Sequence, residues 1–283
     1  MPVPVIPEVA RFFPEHVTLP AFPEVASRLL RTFGDDRVGL DTMAGLIGQD
    51  PALTAKVLRL ANSARYSPGH NITRLPDAAA ALGVNTLRNL ALAACLAETF
   101  PAIHGLESRS FWRHGMACAT YATLLARATD LDAETAYVAG LMLRVGELIM
   151  LGVDAAGVVD VEAHAHTEPG SRFDWELQRW RCAHTDVTAE LSRRWHFPDE
   201  LGRAFAACAD PLAHRPFSML GALLHCAEVM ADALMEGVNP VDALTASVPE
   251  LVGHLHLDLD WLREKLLTVG DPRTEADAML RPS

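Results

Sequence analysis

The stretch GLMLRVGELIM, residues 140–150, places two ionisable side chains in an otherwise apolar run. Arg144 and Glu147 are three residues apart, so on a helix they share one face and can form an ion pair. Apolar residues surround the axis of this predicted helix, which is typical of a helix buried on most sides. Burying charge is costly unless it is compensated, so the pair points either to chemistry or to a compensating partner.

Four histidines could bind a metal or transfer a proton. His114 and His184 lie on apolar helical stripes, where a single histidine is more often a hydrogen-bonded core residue than a ligand. His164 and His166 form an H-x-H in EAHAHTEPG, whose small and polar flanks favour an exposed loop over a metal site.

Tryptophan and arginine are neighbours at several places in the second half of the chain. An arginine over an aromatic face can hold a flat anionic ligand. The pattern raises the hypothesis of such a pocket, although apolar stripes place most of these tryptophans in the core. The pocket would be lined by Trp112, Arg113, Trp180 and Trp195, with Trp175, Arg179 and Arg181 near by in sequence.

Other catalytic signatures are missing from the sequence. No serine has a G-x-S-x-G context, and neither G-x-x-x-x-G-K-[ST] nor G-x-G-x-x-G occurs, so nucleotide binding through those loops is unsupported. The cysteine count is odd and no pair forms C-x-x-C, which favours reduced, buried thiols. These residues are Cys95, Cys118, Cys182, Cys208 and Cys226.

Composition restricts the class of protein. The chain has 283 residues, is 50% hydrophobic and carries a formal net charge of −12. This supports a large core, argues against global disorder and disfavours general affinity for nucleic acid. The N-terminus lacks a signal-peptide layout, and no uninterrupted apolar run is long enough to span a membrane. We therefore expect a cytoplasmic protein.

Helical periodicity runs through nearly the whole chain. We predict Asp50 as the cap of a helix with Pro51 at its first position, Asn85 as the next cap, and Ser108 or Ser110 as the cap of a long helix. Residues 65–73 and 152–173 are predicted to be connecting segments, and 274–283 a polar end. Helices are predicted at 23–33, 40–50, 51–64, 76–82, 85–99, 108–125, 134–151, 177–195, 199–208, 217–236 and 258–267.

Neither an alternating strand pattern nor an internal repeat is present, so the predicted fold class is all-α. Three consecutive segments of the first half then resemble one family: LPAFPEVASRLL, LIGQDPALTAKVLRLANSARY and ITRLPDAAAALGVNTLRNLALAACL. They are similar in order and spacing to the HDOD family of bacterial signalling proteins. FWRHGMACAT, YVAGLMLRVGELIM, HTDVTAELSRRWHFP and ALLHCAEVMA continue the resemblance, which covers roughly residues 19–235.

The resemblance implies a multi-helix, HD-domain-like bundle with two packed helical lobes. On this reading residues 1–15 form an N-terminal arm, 16–103 an N-terminal lobe and 104–235 a degenerate HD-like lobe. The HDOD domain is then 16–235, and a helical appendage follows at 236–283.

HDOD proteins are similar to the HD phosphohydrolases, in which histidines and aspartates hold divalent metals that activate a water. By this resemblance the His-Asp pair of those enzymes falls on Leu143 and Arg144, so both ligands are absent. The other ligand positions fall on His114, His184, Cys208 with Ala209, and Glu228. No metal is expected; if one binds, its ligands would be His114, His184, Cys208 and Glu228.

A guanidinium at a former metal position repels a dication. We therefore predict that Arg144 replaces the metal's positive charge and holds the remnant pocket together, facing Glu147 and Glu228. The predicted function is a non-catalytic regulatory module without a cofactor, acting through a signalling protein partner. A cyclic dinucleotide is a further ligand candidate, by analogy with the related HD-GYP enzymes.

Two alternatives stay open. A metal-dependent phosphohydrolase with an altered ligand set would retain stoichiometric metal. A DNA-binding regulator is suggested by residues 75–96, where two helices meet at a glycine. The second of these helices offers Arg88 and Asn89 but is otherwise mostly Ala and Leu, so a buried hairpin explains it better.

Overall fold

The structure is a computed structural model that describes residues 6–15, 18–33, 37–62, 72–100, 106–165 and 169–280. Within these ranges the chain forms helices and no strands, which confirms the all-α prediction. The chain divides into two compact units that are not continuous in sequence. Unit 1 comprises Met1–Leu19, Ile103–Glu107 and His114–Val269, and unit 2 comprises Pro20–Ala102, Ser108–Arg113 and Gly270–Ser283.

Unit 2 contains the helices of the N-terminal half apart from the short first one. They are α2 (Glu24–Leu30), α3 (Leu40–Ile47), α4 (Pro51–Ala61), α5 (Leu75–Leu82) and α6 (Val84–Thr99), with α18 (Arg273–Leu280) from the C-terminus. Helix α6 packs against α4, and α3 against α5. The loop predicted at 65–73 falls mostly outside the described residues.

Unit 1 contains a short first helix, α1 (Pro7–Ala10), and most of the second half of the chain. Helix α7 (Ser108–Ala128) contributes its residues from His114 onward. The remaining helices are α8 (Ala133–Met142), α9 (Val145–Val153), α10 (Ala155–Ala165), α11 (Arg172–Trp180), α12 (His184–Arg194), α13 (Asp199–Cys208), α14 (Met219–Met235), α15 (Pro240–Ser247), α16 (Pro249–His254) and α17 (Leu259–Val269).

Several predicted helix boundaries are confirmed. The carboxylate of Asp50 accepts hydrogen bonds from the backbone N–H groups of Ala52 and Leu53, with Pro51 at the first helical position. Gly83, with a φ of 83°, ends α5. Two predicted caps are wrong: Gly83 rather than Asn85 precedes α6, and Glu107 rather than a serine precedes α7.

The segment predicted as a connector, 152–173, is largely helical, because α10 fills it and α11 begins at Arg172. The single helix predicted over 177–195 is also wrong. Arg181, with a φ of 62°, ends α11, and a new helix begins at His184. The carboxylate of Asp186 accepts from the Ala183 N–H and so caps this second helix. The predicted polar end contains α18, whose Asp277 accepts two hydrogen bonds from Arg113.

One stretch, Ala133–Val153, is long and apolar enough to cross a membrane by length and composition. It comprises α8, α9 and the two residues between them, and 83% of its most apolar window is buried. The core helix of a folded domain passes the same test, and the burial matches that description.

Candidate functional site

The helix predicted at 134–151 is broken at Leu143 and Arg144, the two residues that the family resemblance singles out. The Thr188 hydroxyl lies 2.9 Å from the Leu143 carbonyl oxygen and accepts a hydrogen bond of 2.8 Å from the Gly146 N–H. A side chain of α12 thus takes the place of the missing helical hydrogen bonds. A Cβ at Gly146 would lie 2.6 Å from the Thr188 nitrogen, so only glycine allows this approach.

The break turns Arg144 into the interior of unit 1, where its side chain is 8% exposed. Its Nε donates to Glu228 Oε1 and its Nη2 to Asp232 Oδ1, both at 2.7 Å. His114 Nε2 lies 2.9 Å from the same Asp232 oxygen. We call Arg144, Glu228, Asp232 and His114 the Arg144 cluster. It joins α7, the α8–α9 break and one face of α14.

Charge balance inside the Arg144 cluster keeps its acids ionised. Burial raises the pKa of Glu228, but Arg144 and His114 lower it more, so that pKa lies below its ordinary value. The same opposition of burial against Arg144 and His114 leaves the pKa of Asp232 far below its usual range. Burial lowers the pKa of Arg144, but Glu228 and Asp232 raise it by more. The net shift is upward, so the guanidinium stays charged.

A second buried arginine lies in the same unit. Arg172 Nη1 donates to Glu147 Oε1 at 3.1 Å and lies 3.9 Å from Glu176 Oε1, and its Nη2 pairs with Glu162. We call these four residues the Arg172 cluster. Glu147 therefore pairs with Arg172 and not, as predicted from its i+3 spacing, with Arg144.

The Arg172 cluster is less completely satisfied. Glu147 Oε2 and Arg172 Nε are buried without a hydrogen-bond partner among the described residues. Burial raises the pKa of Glu147, and Arg172 and Arg144 only partly offset that effect. The cluster also extends to His184, whose Nδ1 lies 2.8 Å from Glu176 Oε2.

His184 links the two clusters. Its ring is stacked on Phe173 with centroids 5.3 Å apart, and its Nε2 lies 4.0 Å from Glu228 Oε1. That nitrogen is buried and makes no hydrogen bond within the described part of the chain. Burial lowers the pKa of His184, but Glu176 raises it more, so the net shift is upward.

The group that most resembles a metal site is not the predicted set. Ligand atoms of His114, Cys118 and Glu228 lie within 4.8 Å of one another. The Cys118 thiol donates to Glu228 Oε2 at 3.4 Å, and burial followed by Glu228 raises its pKa well above the ordinary value. A metal needs the thiolate, and Arg144 already holds Glu228. These residues therefore do not fit a metal as they are arranged.

Of the predicted ligands, the structure brings together His114, His184 and Glu228: each histidine Nε2 lies 4.0 Å from Glu228 Oε1. Cys208 is buried on α13, and its carbonyl oxygen, rather than its thiol, has a ring nitrogen of His225 at 2.7 Å. Burial, followed by Glu228, raises the pKa of its thiol, and the sulfur makes no hydrogen bond to the Arg144 cluster among the described residues.

Two of the three tryptophans of the predicted pocket for a flat anionic ligand, Trp112 and Trp180, have no open ring face. Trp112 belongs to unit 2 and is 1% exposed. Trp180 belongs to unit 1, is 3% exposed, and donates its indole N–H to Asp154 at 3.0 Å. Trp195 packs on Phe197, and Arg113 is held by Asp277. A flat ligand needs an exposed ring face, so this part of the hypothesis is wrong for Trp112 and Trp180.

The basic residue on which the DNA-binding alternative at residues 75–96 depends is also buried. Arg88, which should reach a phosphate or a base, is 3% exposed and lies over the Phe33 ring at 4.5 Å. In the H-x-H motif, His164 lies on α10 rather than in a loop and contacts the Trp175 ring, with centroids 4.5 Å apart. His166 lies outside the described residues.

Sequence reasoning missed Asp232, Arg172 and Cys118. Asp232 follows Glu228 by four residues and Cys118 follows His114 by four, so helical spacing places each on the same helix face as a predicted site residue. That spacing is the sequence signal that identifies them. Arg172 gave none, because it lies at the edge of the segment taken for a connector.

Comparisons with known proteins agree with this helical architecture. A family model of the HDOD domain matches residues 19–211, which is more than half of the chain. The chain belongs to the HDOD family. Among curated proteins, one of Treponema pallidum (strain Nichols), named only as uncharacterized, is 25% identical over 185 residues. That match covers 62% of this chain and 35% of the relative, so the chain spans about a third of the relative's length.

Solved structures share the fold over 97% of this chain. An HDOD domain protein of unknown function from Geobacter sulfurreducens has a TM-score of 0.80, 24% identity and 98% of its own chain covered. A candidate phosphohydrolase from Shewanella amazonensis SB2B has a TM-score of 0.77, 25% identity and 98% covered. A candidate signal transduction protein from Marinobacter aquaeolei VT8 has a TM-score of 0.76, 20% identity and 64% covered.

Proposed function

We propose that this protein is a non-catalytic regulatory member of the HDOD family, which acts through contacts with a signalling protein partner. One observation carries the proposal: the guanidinium of Arg144 lies between Glu228 and Asp232, at 2.7 Å from each. In an HD phosphohydrolase such carboxylates would bind a dication. Here a permanently charged side chain neutralises them.

The chemistry of the cluster supports this assignment. Hydrolysis in HD enzymes needs a metal-bound water, and a cation held beside a buried guanidinium experiences strong repulsion. Both oxygens of each buried acid are engaged: Glu228 accepts from Arg144 and from the Cys118 thiol, and Asp232 is held by Arg144, His114 and the Gly170 N–H. No acid of the cluster remains to act as a general base. We therefore assign the cluster a structural role.

Elemental analysis of tag-free protein, purified without chelator, tests the catalytic half of the proposal. We expect the wild-type protein to hold far less than one equivalent of zinc, iron or manganese and to hydrolyse no phosphodiester. Arg144→Ala, which frees two carboxylates beside His114, should bind added zinc, and His114→Ala in the same background should weaken that binding. Stoichiometric metal in the wild type, lost on His114→Ala together with phosphodiesterase activity, would establish the hydrolase alternative.

Affinity capture tests the regulatory half separately. The wild-type protein, used as bait in extracts of its host, should retain a specific protein partner, identified by mass spectrometry and confirmed with purified components. A metal-free, inactive protein that retains no partner contradicts the regulatory role while leaving the absence of catalysis intact.

A further inference from the structure

A cleft of about 220 Å³ lies in unit 1, and none of the four residues of either arginine cluster lines it. Residues from α1, α12 and α13 form its walls. The apolar lining includes Ile6, Val9, Phe197, Pro198 and Ala206. Pockets for drug-sized ligands are mostly apolar with a few convergent polar groups and typically measure roughly 300–1,000 Å³. This cleft has that composition and is smaller, so it suits a smaller molecule.

The charged groups of the cleft are not balanced. Glu190 and Arg193 also line it and are committed to each other: Arg193 donates two hydrogen bonds to the Glu190 carboxylate and Arg194 one, each at 2.7 Å. Asp186, one turn earlier on α12, has no cationic partner within hydrogen-bond distance among the described residues. One of its oxygens accepts from the Ala183 N–H at 2.8 Å, which leaves the other available.

The remaining polar groups do not change this balance. Ser192 donates to the Ala189 carbonyl within α12, and His214 has its Nδ1 3.1 Å from the Pro216 carbonyl oxygen. Asp199, at the start of α13, adds an exposed carboxylate at the rim. The cleft therefore combines an apolar body with a negative end.

We propose that this cleft binds a small organic monocation, an aryl- or alkylammonium whose apolar part fills the space beside Phe197 and whose ammonium group donates to Asp186. A charge-assisted hydrogen bond in a half-buried position is stronger than a neutral one, so Asp186 confers specificity for a cation. The proposal is independent of the regulatory function, since it involves neither arginine cluster.

Three probes that share a phenylethyl group distinguish the effect of charge from that of shape. They are the cation 2-phenylethylamine, the neutral 2-phenylethanol and the anion 3-phenylpropanoate. Binding is measured by calorimetry and by chemical-shift changes in the full chain. We expect the amine to bind and the alcohol to bind about tenfold more weakly, which is the value of one charge-assisted hydrogen bond. The carboxylate should not bind. Equal affinity for amine and alcohol overturns the proposal.

Asp186→Asn keeps an acceptor for the Ala183 N–H and should lower the affinity for the amine about tenfold while leaving that for the alcohol unchanged. Asp199→Asn is the matched control, because it removes an exposed carboxylate of the same cleft, and should have little effect. Ala206→Phe, which fills the cleft, should abolish binding of both probes. Unfolding curves of each variant confirm folding. Equal losses in the two asparagine variants, or binding of lysine-containing peptides with no binding of the free amine, contradict the proposal.

Discussion

The Arg144 and Arg172 clusters contain the same ingredients and differ in how completely these are paired. Each buries a guanidinium among carboxylates inside unit 1. Arg144 meets two acids at 2.7 Å, and His114 lies 2.9 Å from one of them. Arg172 meets three acids over a wider range of distances, and buried atoms of Arg172 and Glu147 lack partners within the described ranges.

The difference shows that a buried arginine lowers the pKa of its acids to different extents, and that burial decides the net shift where the arginine acts weakly. Where it is centred between two of them, it lowers the pKa of both, as it does for Glu228 and Asp232. Where one guanidinium serves three acids, it cannot compensate each of them. Burial then dominates for Glu147, whose pKa is raised. The first cluster is a closed ionic unit, and the second has unused bonding capacity.

The largest expected effect comes from Arg144→Met, which removes the charge but keeps much of the volume. Glu228 and Asp232 would remain buried without their cation, so we expect a loss of about 3–5 kcal/mol in the free energy of unfolding. Urea denaturation measures it. Arg172→Met is the matched control and should cost less, because Glu162 is 26% exposed and Glu147 can take up a proton. A larger loss for Arg172→Met would reverse the comparison.

A middle-sized effect is expected at the helix break that orients Arg144. Thr188→Val removes the hydroxyl that accepts from the Gly146 N–H and contacts the Leu143 carbonyl. Leaving these buried groups unpaired should cost about 1–3 kcal/mol. Thr188→Ser keeps the hydroxyl and should retain most of the stability in the same urea titration. If serine and valine cost the same, the hydroxyl bridge is not what maintains the break.

The smallest effect is a difference in pH dependence. The pKa values of Glu228 and Asp232 are lower in the folded protein than in the unfolded chain. The resulting stability is present at a pH above the unfolded-state pKa and is lost as the pH falls through the folded-state pKa. The raised pKa of Glu147 has the opposite sign: its contribution is present below the unfolded value and is lost as the pH rises through the folded one.

Asp232→Asn should therefore flatten the loss of stability on the acid side, whereas Glu147→Gln should flatten the loss as the pH rises above the ordinary glutamate range. Each change is expected to be about 1 kcal/mol, close to the value of one pKa unit. Unfolding free energies measured from pH 3 to 8, a range that brackets the ordinary carboxyl pKa values, report both slopes. If both substitutions changed the slope of unfolding free energy against pH in the same direction, the two clusters would not differ electrostatically.

The sequence was sufficient for the fold class and for most helices, because apolar periodicity, Asp50–Pro51 and Gly83 are local signals. It was insufficient at α8–α9, where the apolar pattern continues unbroken through Leu143 and Arg144. That break depends on Thr188, which is distant in sequence, and on the close approach that Gly146 permits. Local periodicity contains no information about either.

The candidate site was also only partly predictable from the sequence. Arg144 and Glu228 could be selected from the sequence because a charge on a buried stripe is conspicuous. Which acid each arginine meets depends on how helices pack, and for that reason the i+3 pairing of Arg144 with Glu147 was wrong. Glu147 faces Arg172, which lies 25 positions further along the chain.

The hydrogen-bonded position of Arg144 would also hinder the gain of a metal site at these positions by single substitutions. Arg144→Asp alone would gather three buried carboxylates around no cation. Leu143→His alone would put a polar ring into a fully buried position while the guanidinium still excluded a metal. Each single step would pass through a less stable protein, so introducing a His-Asp pair at these positions would require both changes together. Arg144 would thereby act as a ratchet against a metal site.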